Sequence, residues 1–251
     1  VWGVHLEGPF INPEKLGAQP PYTIEPDLET MRYLLSLAPI RVVTLAPELP
    51  GALELIAFLK AQGVRVQQGH TAATYAQSLI GLEAGARGFT HFYNAMTPLH
   101  HREPGVVGLG LGRAQWAELI PDGLHVHPAA IGVATRAISQ AYAVTDAVAA
   151  AGMPEGVYRL GRHQVYKKGQ GVFLADGRLA GSALTMDQAA QNLRRWGYTL
   201  REVMQMTSSF AATYLGIQHG LKPGLPADLV VLDEALNLVE VYVRGQKVET
   251  V

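Results

Sequence analysis

Three residues of the types that bind metal ions, Glu7, His70 and His91, stand where short apolar segments end. Glu7 is followed by Gly8-Pro9, a pair that breaks a strand. A carboxylate at the end of a buried strand is costly unless a cation compensates it. One carboxylate and two imidazoles form a common ligand set for catalytic zinc and leave a position for water. A single histidine at a strand end is more often a hydrogen-bonded structural residue, but three such ends together indicate a metal site.

Two further polar residues, His125 and Asp146, stand at the same kind of position. Aspartate is a good N-cap residue, so Asp146 can be explained by the start of a helix. On a rim that already holds a metal, the same carboxylate can act as the general base that takes a proton from water. The five strand ends together favour the chemical interpretation over the purely structural one.

Alternating strands and helices are predicted to position these residues. Strand ends are expected near Glu7, Pro47, His70, His91, His125 and Asp146. The predicted helices between and after them span residues 27–38, 52–61, 73–84 and 129–141, and the last of the strands spans 142–146. Short apolar strands that alternate with helices indicate an α/β protein with a parallel sheet.

The distribution of polar residues favours a closed barrel over an open doubly wound sheet. Polar or titratable residues end nearly every predicted strand, and such groups converge at the C-terminal face of a (β/α)8 TIM-type barrel. An open sheet usually carries a glycine-rich phosphate turn, and no G-x-G-x-x-G motif follows a predicted strand here. Only six βα units are visible, and the chain begins with Val1 almost inside a strand. We therefore expect a barrel that lacks its N-terminal strands in this chain.

The C-terminal part of the sequence has a different pattern. Residues 157–180 alternate between apolar and polar types and contain turn signals, which predicts a β-hairpin insertion. Helices are expected over residues 185–195 and 200–215, and strands over 227–233 and 239–248. The predicted domains are a metal-dependent hydrolase barrel over residues 1–218, with strands 3–8 of the fold, and the strands of a small β domain over 219–251.

Composition excludes several classes of partner and site. The 20 basic and 21 acidic residues nearly balance, so nothing indicates binding to nucleic acid or to an anionic membrane. The 251 residues include no cysteine, so disulfides and thiolate metal sites are excluded and any metal must be bound by His, Asp and Glu. No segment has the length and apolarity of a membrane span or a signal peptide. A cytoplasmic enzyme is the default expectation.

An ordered set of short motifs covers nearly the whole chain. The motifs are His5-Leu-Glu-Gly-Pro-Phe10, Gly69-His-Thr71, Thr90-His-Phe-Tyr-Asn-Ala-Met96, Arg102-Glu-Pro-Gly105, Asp122-Gly-Leu-His125, Val144-Thr-Asp-Ala147 and Leu179-Ala-Gly-Ser-Ala-Leu-Thr-Met186. In this order they resemble the N-acetylglucosamine-6-phosphate deacetylases of the amidohydrolase superfamily. Each motif alone is weakly specific, whereas the ordered set is strong.

The resemblance implies a role for each matching residue. Glu7, His70 and His91 would hold the metal, and Asp146 would activate the attacking water and then protonate the leaving amine. The substrate-binding residues would be Asn94, Ala95, Arg102, His125 and Met186. In the family the arginine reaches into a neighbouring subunit's site, so a homodimer is expected, with Arg102 as the exchanged residue. The expected partner is a small amino sugar phosphate.

Two features leave details of this site open. The family often has a histidine that contacts the scissile carbonyl, and the matching position here is Gln19. An amide can donate a hydrogen bond but carries no charge, so its assistance to the developing oxyanion is expected to be weaker. The family's first strand bears a ligand pair that can hold a second metal, and that segment is not in this chain. We therefore expect one or two divalent ions per subunit, with Zn²⁺ first and Fe²⁺, Co²⁺ or Mn²⁺ as alternatives.

The predicted activity is metal-dependent hydrolysis of the acetamide of N-acetylglucosamine 6-phosphate to glucosamine 6-phosphate and acetate. A second hypothesis keeps this chemistry with another N-acyl sugar phosphate, such as N-acetylgalactosamine 6-phosphate. A third hypothesis belongs to another functional class. Six βα units cannot close an eight-stranded barrel, so under this hypothesis the polypeptide is an inactive truncated fragment or a binding scaffold.

Overall fold

The structure, a computed structural model, describes residues 1–249; the predicted element 219–251 thus extends two residues beyond the described range. The predicted α/β class is confirmed over the first part of the chain, where strands and helices alternate. The elements are β1 Val4–Glu7, α1 Leu28–Leu37, β2 Ile40–Leu45, α2 Ala52–Ala61, β3 Arg65–Gln68, α3 Tyr75–Ala84, β4 Gly88–Phe89, α4 Gly105–Arg113, β5 Trp116–Leu119, α5 Pro128–Ala137 and β6 Gln140–Ala143.

All six of these strands pair in parallel. Strands β1 to β4 form one four-stranded sheet in sequence order, and β5 pairs with β6. The two sheets meet where the Phe92 N–H, just beyond β4, donates a 2.8 Å hydrogen bond to the Glu118 carbonyl on β5. Because parallel strands present their carboxyl ends at one edge, residues that follow these strands lie on the same side of the molecule.

Helices cover the sheet with apolar side chains and hold the strand ends in place. Beneath β1 and β2, one core cluster joins Phe10 and Leu45 to Met31 of α1 and Leu55 of α2, and all four are fully buried. A second cluster centres on Phe89, Phe92, Leu109 and Leu119. Burial of such side chains contributes about 1.5–3 kcal/mol each and so stabilises the packing of the helices on the sheet.

Local capping signals mark the starts of two helices. Asp27 caps α1 by accepting a 2.8 Å hydrogen bond from the Thr30 N–H, and Pro128 occupies the first turn of α5. The predicted end of α5 at Ala141 is wrong, because the helix ends at Ala137 and the chain turns into β6. The predicted strand over residues 142–146 is correspondingly displaced. Pairing of Gln140 with Trp116 on β5 outweighs the helical propensity of the alanines there.

Helix α4 is absent from the sequence prediction because its four glycines resemble a loop. Two of these glycines allow close packing instead. A Cβ atom on Gly110 would lie 2.4 Å from the Phe92 ring, and one on Gly108 would lie 2.4 Å from Pro104. The contact with Pro104 is local to the helix, whereas the contact with Phe92 is tertiary, so packing on Phe92 helps to stabilise a helix of low intrinsic propensity.

The chain after Asp146 forms two antiparallel sheets and a further group of helices. The predicted hairpin region is a four-stranded meander in the order β10-β9-β8-β7, with β7 next to β8 and β9 next to β10. The remaining elements are β7 Gly156–Leu160, β8 His163–Lys168, β9 Gly171–Leu174, β10 Leu179–Ser182, α6 Met186–Arg195, α7 Leu200–Met204, a π-helical turn Gln205–Ser209, α8 Phe210–Leu215, β11 Leu229–Leu232, β12 Leu238–Val243 and β13 Gln246–Val248. We call strands β7 to β10 the insertion sheet.

Candidate active site

Glu7, His70 and His91 converge although they lie at or just beyond the ends of three different strands. Each offers one ligand atom, and these atoms lie within 4.8 Å of one another. The Nε2 atom of His70 is 2.8 Å from Oε1 of Glu7 and 2.9 Å from Nε2 of His91. The Nε2 atom of His91 is 3.6 Å from the same carboxylate oxygen. One carboxylate oxygen and two imidazole nitrogens thus face a common point.

The second ring nitrogen of His70 determines its chemical role. Its Nδ1–H donates a 2.6 Å hydrogen bond to the carbonyl of Lys15, which makes Nε2 an acceptor with a free lone pair. An acceptor nitrogen that faces a carboxylate oxygen is unfavourable unless a proton or a cation lies between them. A ring N–H on a backbone carbonyl is also the usual arrangement of histidine ligands. The donor set therefore fits a divalent cation.

Burial and mutual contact shift the pKa values of these groups. Burial alone would raise the pKa of Glu7, but the imidazoles of His70 and His91, when they carry a proton at Nε2, donate hydrogen bonds and positive charge that hold that pKa well below its usual range. Burial would lower the pKa of His91, but the hydrogen bond and charge of Glu7, aided by Asp146 and Glu118, raise it to about 9. The Glu7 carboxylate thus strongly favours a positive partner.

A cavity of about 480 Å³ opens above this cluster. It brings together most of the site residues singled out from the sequence, and its lining includes Glu7, Gln19, His70, His91, Asn94, Ala95, His125 and Asp146. A groove of about 830 Å³ lies elsewhere, between α5 and the segment 196–210. The metal-binding cluster of the described residues belongs to the smaller cavity, which we therefore take as the candidate site.

Asp146 and His125 follow β6 and β5 respectively and face this cavity. Burial raises the pKa of Asp146, because it removes water that would solvate the charged form. The negative charge of Glu7 also raises this pKa, whereas His91 and His125 lower it. His125 is oriented by Asp122, whose Oδ2 atom accepts a 2.5 Å hydrogen bond from Nδ1. This arrangement leaves Nε2 of His125 free for a ligand.

Gln19 lies on the loop between β1 and α1, which we call the roof loop (residues 12–26). Its Nε2 atom donates a 2.8 Å hydrogen bond to Oε1 of Glu7. The same loop packs Ala18 against the core of the insertion sheet. Gln19 therefore contacts a metal-site residue directly, in addition to lining the cavity.

Backbone conformation marks the site independently of side-chain chemistry. His70, His91, Ala95 and Asp146 have φ values of 48°, 31°, 50° and 48°, and Tyr93 has 83°. Left-handed conformations are uncommon for residues other than glycine and persist where surrounding structure enforces them. Four of the seven such residues in the described chain, His70, His91, Ala95 and Asp146, line this cavity, which agrees with a functional role for the strand ends.

Two predicted substrate residues lie outside the cavity lining. Arg102 is exposed, and its guanidinium is 2.9 Å from Nε2 of His101. Met186 is the first residue of α6 and is also exposed. This placement brings neither side chain to the cavity of its own subunit.

The cavity also contains residues that the sequence does not identify. Arg162 and His163, at the turn between β7 and β8, line it. The Arg162 guanidinium lies over the ring of Tyr22 on the roof loop, 5.7 Å from the ring centroid. Their position depends on how the insertion sheet folds back over the parallel strands, and no local sequence signal indicates it.

The chain is similar to sugar-phosphate deacetylases over nearly its whole length. It is 44% identical over 255 residues to an N-acetylgalactosamine-6-phosphate deacetylase of Escherichia coli O157:H7, a match that covers 98% of this chain and 68% of the relative. It is 42% identical to an N-acetylglucosamine-6-phosphate deacetylase of Lysinibacillus sphaericus, over 98% of this chain and 66% of the relative. No protein-family model matches.

A solved structure supports the same relationship. The chain superposes with a TM-score of 0.92 and 36% identity on a mutant N-acetyl-D-glucosamine-6-phosphate deacetylase of Mycobacterium smegmatis in complex with N-acetyl-D-glucosamine 6-phosphate. The match covers 99% of this chain and 68% of that one. The chain thus spans about two thirds of the length of its relatives.

In residues 1–249, no helix combines the length and apolarity needed to cross a membrane. High identity, nearly complete coverage of this chain and a shared fold show that it belongs to the N-acetylglucosamine-6-phosphate deacetylase family.

Proposed function

We propose that this chain hydrolyses the acetamide of N-acetylglucosamine 6-phosphate to glucosamine 6-phosphate and acetate, with a divalent metal. The observation that carries the proposal is the convergence of Glu7, His70 and His91 beside Asp146 in one cavity. Family membership supports the substrate class, because the relatives are named for deacetylation of amino sugar phosphates.

Each step of the proposed reaction requires a specific group. When bound by Glu7, His70 and His91, a divalent cation supplies Lewis acidity that polarises the acetyl carbonyl and acidifies water. Asp146 takes a proton from the attacking water as its oxygen bonds to the acetyl carbon. The C–N bond then breaks, and Asp146 delivers the proton to the departing amine nitrogen. Enclosure by the protein raises the pKa of Asp146, which favours this return of the proton.

The remaining polar residues are proposed to bind the sugar phosphate. His125 would contact a sugar hydroxyl through its free Nε2, and Asn94 with Ala95 would bind the phosphate end. Arg102 would complete the phosphate site of a neighbouring subunit in a homodimer, since guanidinium binds phosphate well and Arg102 is exposed. Met186 would line the pocket only after a rearrangement near the start of α6. A phosphorylated sugar does not cross membranes freely, so we place the reaction in the cytoplasm.

We further propose that strands β1 to β6 belong to a (β/α)8-type barrel over residues 1–218, interrupted by the insertion sheet. Their parallel pairing and the position of the cavity at their carboxyl ends support this architecture. Strands β11 to β13 would belong to a separate small β domain over residues 219–251.

Zinc is the proposed metal, because one carboxylate and two imidazoles suit it, and iron, cobalt and manganese are the alternatives. Elemental analysis of protein purified without added metal tests this assignment. Zinc at one or more equivalents per chain supports the assignment. A stoichiometric amount of another divalent ion would assign that ion instead of zinc.

The decisive experiment compares Asp146→Asn with wild type in an acetate-release assay on N-acetylglucosamine 6-phosphate. We expect kcat to fall by about 10²–10⁴-fold, because the asparagine amide cannot accept the proton of the attacking water. Metal content should remain at the wild-type level. Asp176→Asn, on an exposed turn of the insertion sheet, is the matched control and should retain full activity. Normal turnover in Asp146→Asn protein that is fully loaded with metal contradicts the mechanism.

Substrate identity needs a separate comparison, because one relative is named for the galactosamine epimer. N-acetylglucosamine 6-phosphate, its galactosamine epimer and unphosphorylated N-acetylglucosamine should be assayed side by side. We expect the highest kcat/KM with the first and the lowest with the unphosphorylated sugar. A higher kcat/KM with the epimer would reassign the substrate while leaving the chemistry intact.

A further inference from the structure

Glu48, which follows β2 in the segment Ala46-Pro47-Glu48, joins two loops of the candidate site. Its Oε1 atom accepts hydrogen bonds from Nδ2 of Asn12 at 2.9 Å and from the Ala72 N–H at 2.7 Å. Its Oε2 atom accepts a 2.5 Å hydrogen bond from the hydroxyl of Thr71. Three donors from the loops after β1 and β3 thus converge on one carboxylate.

The contact with Asn12 reaches the ring of His70 through a short chain of hydrogen bonds. The Asn12 N–H donates to the His70 carbonyl at 2.9 Å, and Oδ1 of Asn12 caps the 3₁₀ turn Pro13–Lys15 by accepting from the Glu14 N–H at 2.8 Å. This turn directs the Lys15 carbonyl to Nδ1 of His70. Asn12 therefore holds the acceptor that fixes the tautomer of His70.

The contacts with Thr71 and Ala72 act on the opposite side of the same residue. These two residues directly follow His70, whose backbone has a φ of 48°. The Thr71 N–H also donates a 3.0 Å hydrogen bond to the carbonyl of Ala95, on the loop after β4. The left-handed conformation of His70 is thus held in place by a segment that Glu48 fixes.

We propose that Glu48 is a positioning residue of the metal site, which sets the orientation and tautomer of His70 without contacting the reacting atoms. This inference deepens the proposed function, since it rests on His70 as a metal ligand. Glu48 lines a surface depression on the outer side of the loops, whereas the catalytic cavity is lined by other residues. Outer hydrogen-bond partners of this kind typically change metal affinity about 10–100-fold when they are removed.

A carboxylate suits this position because three donors need acceptor capacity on both oxygen atoms. A glutamine at the same position has one acceptor oxygen and presents an NH₂ group to the third donor. Alanine leaves all three donors without their partner. The two substitutions should therefore weaken the site to different degrees.

The test measures metal affinity directly, by competition with a chromophoric chelator, on folded protein loaded with zinc or cobalt. We expect Glu48→Ala to weaken binding about 10–100-fold and Glu48→Gln to give a smaller loss. The cobalt absorption spectrum should change in Glu48→Ala, because the altered loop reorients an imidazole ligand. Glu54→Ala, which removes an exposed carboxylate that lines the same surface depression, is the matched control and should match wild type.

A purely structural role predicts a different result. In that case Glu48→Ala lowers the melting temperature, while the metal affinity of the folded protein stays within about twofold of wild type and the cobalt spectrum is unchanged; this outcome overturns the proposal. If Glu48→Ala does not fold, the metal affinities of Glu48→Gln and of the near-isosteric Thr71→Val are measured instead. Wild-type metal affinity in both variants also overturns the proposal. Because metal binding is read without substrate, absence of acetate release by wild type would refute the proposed function separately.

Discussion

His125 shows how a single buried neighbour sets the chemistry of a site residue. Both backbone N–H groups of Leu124 and His125 donate to Oδ1 of Asp122 at 2.8 Å, so only Oδ2 faces the imidazole. A carboxylate oxygen requires the proton on Nδ1, which leaves Nε2 of His125 as an acceptor. The ring therefore presents a fixed hydrogen-bond acceptor to the cavity.

The substitution Asp122→Asn tests this assignment. The amide oxygen is needed by the two backbone donors, so the NH₂ group faces the imidazole and moves its proton to Nε2. We expect KM to rise about 3–10-fold, because the sugar hydroxyl can no longer donate a hydrogen bond to Nε2, with kcat within about threefold of wild type. Steady-state kinetics on N-acetylglucosamine 6-phosphate measure both constants. His127→Ala, at an exposed neighbouring histidine, should leave KM unchanged; an unchanged KM in Asp122→Asn would argue against the role of His125.

The residues of the metal cluster could be predicted from the sequence because each lies at or just beyond the end of a short strand. Strand ends of a parallel sheet share one edge, so the positions of Glu7, His70 and His91 along the chain are enough to predict that they lie close together. The roles of Glu48 and Arg162 could not be predicted from the sequence. Their roles depend on which loops pack together, and hydrophobic periodicity carries no information about that.

At the scale of elements, the roof loop and the insertion sheet cover the cavity together. Ala18 packs into the core of the insertion sheet, and Arg162 lies over the ring of Tyr22. Gln19, on the same loop, donates a hydrogen bond to Glu7. Sequence patterns located both segments but did not show that they touch, because their contact joins distant parts of the chain.

A double-mutant cycle on Tyr22→Leu and Arg162→Met measures this contact. Each change removes the cation–π interaction, which contributes about 0.5–1 kcal/mol at an exposed site. If the contact holds the roof loop over the substrate, each single variant should raise KM about two- to fivefold. The double variant should be no worse than either single one. Strictly multiplicative effects on KM would show that the two side chains act independently.

At the scale of the whole molecule, the metal cluster brings together residues from the ends of three strands, β1, β3 and β4. Glu7 ends β1, whereas His70 follows β3 and His91 follows β4, so a bound cation joins three of the four strands of one sheet. A ligand that binds only the folded state stabilises it by mass action. Metal binding and the stability of the fold should therefore be coupled.

Metal removal tests this coupling. At a free metal concentration about 100 times Kd, binding contributes about 2.7 kcal/mol. For a chain of this size we expect chelation to lower the melting temperature by about 5–10 °C. His91→Ala should lose this sensitivity to chelator, while His219→Ala, far from the cluster in sequence, should keep it. Equal melting temperatures for loaded and chelated wild type would refute the coupling.

The order of the three ligands along the chain has a consequence for translation. Glu7, His70 and His91 all precede Asp146, and the sheet that carries them, β1 to β4, is complete by Phe89. A ribosome that adds about 5–20 residues per second makes Asp146 about 3–11 s after His91. The nascent polypeptide thus carries all three residues of this cluster before the proton-transferring carboxylate is synthesised. Metal acquisition can consequently begin during synthesis, ahead of catalytic competence.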